Sequence, residues 1–258
     1  MVVFHTDLDK TLIYSHRAEI GEDKFCVELY QGREVSFMTD RTRSLLGRIA
    51  DREGVLIVPT TTRSVEQYER ISLPIAPEYA LVCNGGVLLR RGVRDESWYE
   101  DSLRRILPAK REMEKAKRLM EKDPSRKFEL RLVDGIFLFT KSSEPKNMAM
   151  RLSKELNLQK VRVFTNREKV YVLPQSLDKG EAAKRFRLLL RRRYPKESFC
   201  FVGAGDSPFD IPMLEESDIA FAPSRLAQEG RLSEKIRLFS EERIFSEALL
   251  EELEKALG

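Results

Sequence analysis

The feature that most constrains this chain is a set of short, unbroken apolar runs, each stopping at a polar cluster. Val2-Val3-Phe4-His5 stops at Thr6–Thr11, and Val55-Leu56-Ile57-Val58 stops at Thr60-Thr61-Thr62-Arg63. Tyr79–Val82 stops at Cys83-Asn84-Gly85-Gly86, and Phe199–Val202 stops at Gly203–Asp210. A strand covered on both faces carries apolar side chains without alternation, as strands of a parallel sheet do. Helical spacing falls between the runs. Leu45, Leu46, Ile49 and Ala50 recur after a cap at Thr39 or Asp40, with Gly54 closing the helix. Ser64–Arg70, Gly180–Arg193, Ile211–Glu216 and Ser246–Leu257 read as further helices, and Ile219–Phe221 as one more strand. This order predicts an α/β core built on a doubly wound parallel sheet.

The pattern changes in the middle. A charged helix is expected over Glu100–Glu121. Hairpin strands follow at Phe128–Val133 and Ile136–Thr140, joined at Asp134-Gly135. A second helix, Pro145–Leu156, precedes strands Val161–Thr165 and Val170–Leu173. Two αββ units in succession predict a smaller α+β domain at 87–174, inserted into a core of 1–86 and 175–258. Near the N-terminus, Cys26–Tyr30 and Glu34–Met38 flank Gln31-Gly32-Arg33 and read as another hairpin.

Composition excludes several function classes. Among 258 residues, 46 are Lys or Arg and 42 are Asp or Glu, a formal charge of +4. That balance does not provide a polybasic nucleic-acid arm, and the basic runs have acids interleaved, as a solvated helix face does. No apolar stretch reaches membrane-spanning length, and Asp7 and Asp9 come before any run of signal-peptide length. Three cysteines without a CxxC pair give neither a disulfide framework nor a zinc site. The expectation is a cytoplasmic protein without nucleic-acid or membrane partners.

The chemistry-bearing residues gather where strands end. In extended chain, residues two apart point the same way, so Asp7 and Asp9 are expected to converge at the carboxyl edge of the sheet, where α/β folds bind ligands. Two neighbouring carboxylates need a cation or a shared proton, and a set of oxygens without His or Cys points to Mg²⁺. Gly203–Asp210 brings Asp206 and Asp210 to the same edge, with glycines that allow close backbone approach. Thr60–Arg63 offers hydroxyl and backbone donors at a helix start, which suits a phosphate. Leu177–Gly180 opens a helix with Lys179, able to neutralise gathered carboxylates. Each cluster alone reads as a cap or a turn; all four in this order read as one site.

The motifs DLDKTL at 7–12, TTR at 61–63, DKG at 178–180 and GDSPFD at 205–210 make the chain similar to the haloacid dehalogenase-like hydrolase superfamily. The insertion between the second and third motifs, with NGG at 84–86, resembles the Cof-type and sucrose-phosphate-phosphatase-like branch with a compact α/β cap. The resemblance implies a Rossmann-like core and a Mg²⁺-dependent phosphatase acting on a small phosphorylated metabolite, a sugar or polyol phosphate, under a mobile cap. It implies that Asp7 is the nucleophile and that Asp9 is the acid and then the base. It further implies that Thr61 binds a phosphoryl oxygen and Lys179 offsets charge. It implies too that Asp7, Asp9 (through its carbonyl), Asp206 and Asp210 surround the metal, and that Thr62, Arg63, Asn84 and Ser207 join Thr61 as substrate-binding residues. Thr62 stands where the branch has Gly, and Phe209 where it has Asn, leaving Ser207 or a cap residue to hold phosphate. Arg63 reads either as a second anion reader or as a salt bridge. His5 and Trp98 read as packing. The rival readings are a phosphomutase or phosphotransferase on the same scaffold, and a catalytically weak binding or regulatory protein.

Overall fold

The structure is a computed structural model, described here over residues 1–230 and 232–257. It divides into two compact units, Met1–Arg94 with Lys179–Gly258, and Asp95–Asp178. The sequence reading starts the insertion at residue 87. In the structure Val87–Arg90 and Val93–Arg94 continue an antiparallel sheet begun by Tyr79–Val82, and this pairing carries the chain on to residue 94 within the first unit.

The first unit is built on five parallel strands in the order Ile236–Phe239, Ile219–Pro223, Cys200–Ala204, Val2–Thr6, Val55–Pro59. Val2–Thr6 lies inside the sheet, paired on both sides, which is why its apolar run does not alternate. Helices Asp40–Ala50 and Phe245–Ala256 bring Leu45, Leu46, Ile49, Leu249, Leu250 and Leu253 into the core around Phe4. Lys179–Arg193 and Ile211–Glu216 bring Ala183, Met213 and Leu214 against Ala220 and Ala222. Thr39 caps the first of these helices by accepting from the Thr42 N–H. Gly180 and Gly203 lie against neighbouring helix residues: a Cβ at Gly180 would stand 2.7 Å from the Pro212 carbonyl oxygen, and at Gly203 2.5 Å from Ser217 Oγ.

Tyr79–Val82 meets the parallel sheet through a Thr60–Leu81 bridge and pairs with Val87–Arg90 as an antiparallel strand. Lys24–Tyr30 and Arg33–Thr39 form the expected hairpin, with Gln31 and Gly32 both at positive φ in its turn.

The second unit is a four-stranded antiparallel sheet in the order Val161–Asn166, Lys169–Pro174, Phe137–Lys141, Arg131–Val133. Its core sets Leu138, Val170 and Val172 against Ala116, Met120, Met148 and Leu152 of two helices. The single helix expected over 100–121 is two, Glu96–Ile106 and Lys110–Lys122, separated by a 3₁₀ turn at Leu107–Ala109. Pro108 has no N–H to continue the first helix and sits instead at the start of the turn. Among the described residues, no helix is long and apolar enough to cross a membrane.

Candidate active site

The parallel strands deliver their exits to one edge. Beyond Val2–Thr6, the Asp7 N–H still donates to the Ala204 carbonyl at 2.9 Å, so Asp7 remains fixed to the neighbouring strand. The next residues leave the extended path. The Leu8 carbonyl accepts from the N–H groups of Thr11, Leu12 and Ile13, and Lys10 takes φ 60°. The two-residue periodicity therefore ends at Asp7, and the carboxylates of Asp7 and Asp9 join different clusters.

The first cluster is buried and centred on a lysine. Lys179, 1% exposed at its side chain, opens a helix and donates to Asp7 Oδ1 at 2.7 Å and to Asp210 Oδ1 at 2.5 Å. The other oxygen of Asp210 accepts from the N–H groups of Asp206 and Ser207 and from the Ser207 hydroxyl, at 3.1, 2.9 and 2.7 Å. This turn needs glycine at 205, because a Cβ there would lie 2.2 Å from the Asp210 Cβ. Asp206 accepts from Arg225 at 2.9 Å and faces Lys10 at 3.9 Å.

Burial, opposed by the Lys179 charge, raises the Asp7 carboxyl well above the ordinary range. Burial, followed by the Asp210 charge, pushes Asp206 up to about 6. Asp7, Asp206 and Asp210 present oxygens within 4.8 Å of one another, the group of this kind found among the described residues. Asp7 and Asp206, which burial makes reluctant to ionise, join Asp210 in a set of oxygen donors that fits a hard divalent cation such as Mg²⁺.

The second cluster is centred on an arginine. Arg63 donates from Nε and Nη2 to the two oxygens of Asp9, both at 2.8 Å, and from Nη1 to Glu28 at 2.8 Å. Glu28 also accepts from the Ser36 hydroxyl at 2.6 Å and from Arg70 at 3.3 Å. Burial lowers the Arg63 pKa, but hydrogen bonds and charge from Asp9 and Glu28 outweigh it and hold the guanidinium above its usual range.

Thr61 is fully buried. Its N–H donates to the Leu81 carbonyl, its carbonyl accepts from the Asn84 N–H, and its hydroxyl oxygen accepts from the Arg63 N–H. Cys83, Asn84 and Gly85 have φ of 53°, 58° and 85°, three consecutive left-handed residues held against this loop. Asn84 is buried, and its Oδ1 has no hydrogen-bond partner. Thr62 is half-buried. Ser207 commits its hydroxyl hydrogen and its N–H to Asp210, and Phe209 is buried. His5 and Trp98 are buried, and the His5 ring packs against Phe186 and Phe201.

The structure thus gathers Asp7, Lys179, Asp206, Ser207 and Asp210 into one cluster, and Asp9 and Arg63 into another. Sequence reasoning missed Glu28, Ser36, Arg70 and Arg225. Arg225 had a signal, since it follows a strand on the same edge; Glu28 had none stronger than its place in a hairpin.

No protein-family model matches the sequence, and no curated protein gives a sequence match. Solved structures match across the whole chain. The Synechocystis sucrose-phosphatase, solved with sucrose and phosphate, is 15% identical with a TM-score of 0.62, covering 99% of this chain and 97% of that one. The C-terminal domain of the Candida albicans trehalose-6-phosphate phosphatase is 16% identical with a TM-score of 0.60, covering 98% and 93%. A haloacid dehalogenase-like hydrolase protein from Bacillus subtilis is 15% identical with a TM-score of 0.54, covering 99% and 92%. At this level of identity the likeness is one of fold: the chain has the α/β fold of these hydrolases.

Proposed function

We propose that this chain is a Mg²⁺-dependent phosphoric monoester hydrolase that cleaves a small sugar or polyol phosphate through an aspartyl-phosphate at Asp7. The observation that carries the reading is the placement of Asp7: a buried carboxylate at the carboxyl edge of the sheet, 2.7 Å from Lys179 and within reach of Asp206 and Asp210. The printed names of the sucrose and trehalose-6-phosphate phosphatases that share its fold support a sugar phosphate as substrate.

Asp7 attacks phosphorus, forming a new P–O bond as the P–O bond to the substrate alcohol breaks, and Asp9 gives the departing oxygen its proton. Asp9 then takes a proton from a water that attacks the aspartyl-phosphate, returning Asp7 and releasing phosphate. Lys179 lowers the repulsion between the entering phosphate and Asp7, and the Thr61 hydroxyl holds a phosphoryl oxygen. Asp7, Asp206 and the Asp9 carbonyl would hold the metal, with Asp210 steadying Lys179 and the 205–207 turn. Bound Mg²⁺ supplies charge that lets one anion attack another. Arg63, Thr62, Asn84 and Ser207 line the phosphate-binding loops, and the choice of sugar is assigned to the inserted unit.

Phosphate release from a panel of sugar phosphates tests this reading. Release with Mg²⁺ that EDTA abolishes supports it. An isomeric sugar phosphate in place of free phosphate replaces it with phosphotransfer, and no turnover on any ester replaces it with a binding protein.

A further inference from the structure

Two carboxylates compete for one guanidinium at the second cluster, and their surroundings differ. The Asp9 side chain is 53% exposed, whereas Glu28 is 4% exposed. A carboxylate stripped of its cation costs little in water and far more in the interior. Arg63 is therefore bound to Glu28, and Asp9 is the partner able to leave.

We propose that Glu28 is a positioning residue that tethers Arg63 and, through the Arg63 fork, sets where the Asp9 carboxylate stands. This rests on the hydrolase reading, in which Asp9 moves protons. Of the two roles open to Arg63, it assigns the guanidinium to steering Asp9 rather than to reading a second anion on the substrate.

The hairpin is shaped to deliver Glu28. Its pairing register shifts on both sides of that residue, between Cys26 and Glu28 and between Glu28 and Leu29. Irregularities of this kind re-aim a side chain. Glu28 is bridged to Ile71, and the Ser72 N–H donates to the Val27 carbonyl at 2.7 Å, so the hairpin is anchored to the segment that follows Arg63. Arg70 closes the other side, bonded to Glu28 and lying 4.6 Å over the Tyr30 ring. Ser36 completes the cage, donating to Glu28 and standing 3.4 Å from Arg63 Nη2. Arg63 thus bonds both Asp9 and Glu28, and Arg70 holds the far oxygen of Glu28 while also pairing with Glu66.

The test is a double-mutant cycle on p-nitrophenyl phosphate, which carries no second anion. Glu28→Gln is expected to lower kcat about tenfold, a loss typical of residues that orient a reacting group, with KM unchanged. In an Asp9→Asn background the same substitution is expected to leave the residual rate unaltered, because its effect acts through Asp9. Arg63→Lys, which keeps the charge and removes the fork, should give the same kcat loss and the same dependence on Asp9, so the test stands even if a Glu28 variant fails to fold. An unchanged kcat, an equal loss in the Asp9→Asn background, or a loss confined to KM overturns the tether. If wild type releases no phosphate at all, the hydrolase reading itself falls, a result distinct from an active enzyme indifferent to Glu28.

Discussion

Asp7 and Asp9 stand two residues apart at the end of one strand and are held in opposite ways. Asp7 is buried and faces a lysine that is itself buried between two carboxylates. Asp9 is half in water and faces an arginine whose deeper partner is Glu28. Charges that must stay in place are sealed in, because moving any one of them would strand the others without partners. The Asp9 charge lies at the surface, where water can replace its partner. On the proposed reading, the comparison separates a sealed nucleophile from a proton carrier held at the surface.

The largest expected effect lies on the fixed side. Asp7→Asn should cut phosphate release at least about a thousandfold, as removal of a covalent nucleophile does; a variant with near-normal turnover would end the distinction. Next, Lys179→Met leaves Asp7 and Asp210 buried without their cation. It should lower unfolding free energy by about 3–5 kcal/mol in denaturant titration. An unchanged midpoint would mean that the buried cluster is not held together by its charge.

How much of this was legible in the sequence follows from the same contrast. Val2–His5, Val55–Val58 and Phe199–Val202 could be read because strands buried on both faces leave no polar alternation, and the four motif clusters could be read because each ends such a strand or opens a helix. Ile236–Phe239 could not be read, since an edge strand with Arg237 and Leu238 exposed has the pattern of a loop. That Asp7 and Asp9 take different partners was hidden by the turn at Leu8–Ile13, which ends the period-two rule just past the strand. Glu28 was hidden by the register shifts around it, which no spacing announces. The helix break at Pro108 was readable, and the charged helical pattern on either side outweighed it.

A third effect sharpens the comparison from the strand beneath. His5 lies on the same strand and is buried; burial first, then the Arg187 charge, bring its pKa down to about 3. In the unfolded chain it titrates near 6.5, so the stability from its neutral form is complete above that pH. It is lost as pH falls from about 6.5 toward 3, at about 1.4 kcal/mol per pH unit. Chemical denaturation of His5→Phe against wild type across pH 5–7 should remove that slope, and equal slopes would contradict it. The smallest effect belongs to Arg225, partly exposed beside Asp206. Arg225→Ala should cost under about 1 kcal/mol in thermal unfolding; a larger loss would place Arg225 with the sealed charges.

The central claim is that Asp7 carries the phosphoryl group between substrate and water. Borohydride trapping of the protein during turnover, followed by peptide mass mapping, tests it most directly, because borohydride reduces an acyl phosphate and spares a free carboxylate. The account expects residue 7, and no other aspartate, to be recovered as homoserine. Phosphate release with residue 7 untouched, or the mark on a different carboxylate, would contradict it.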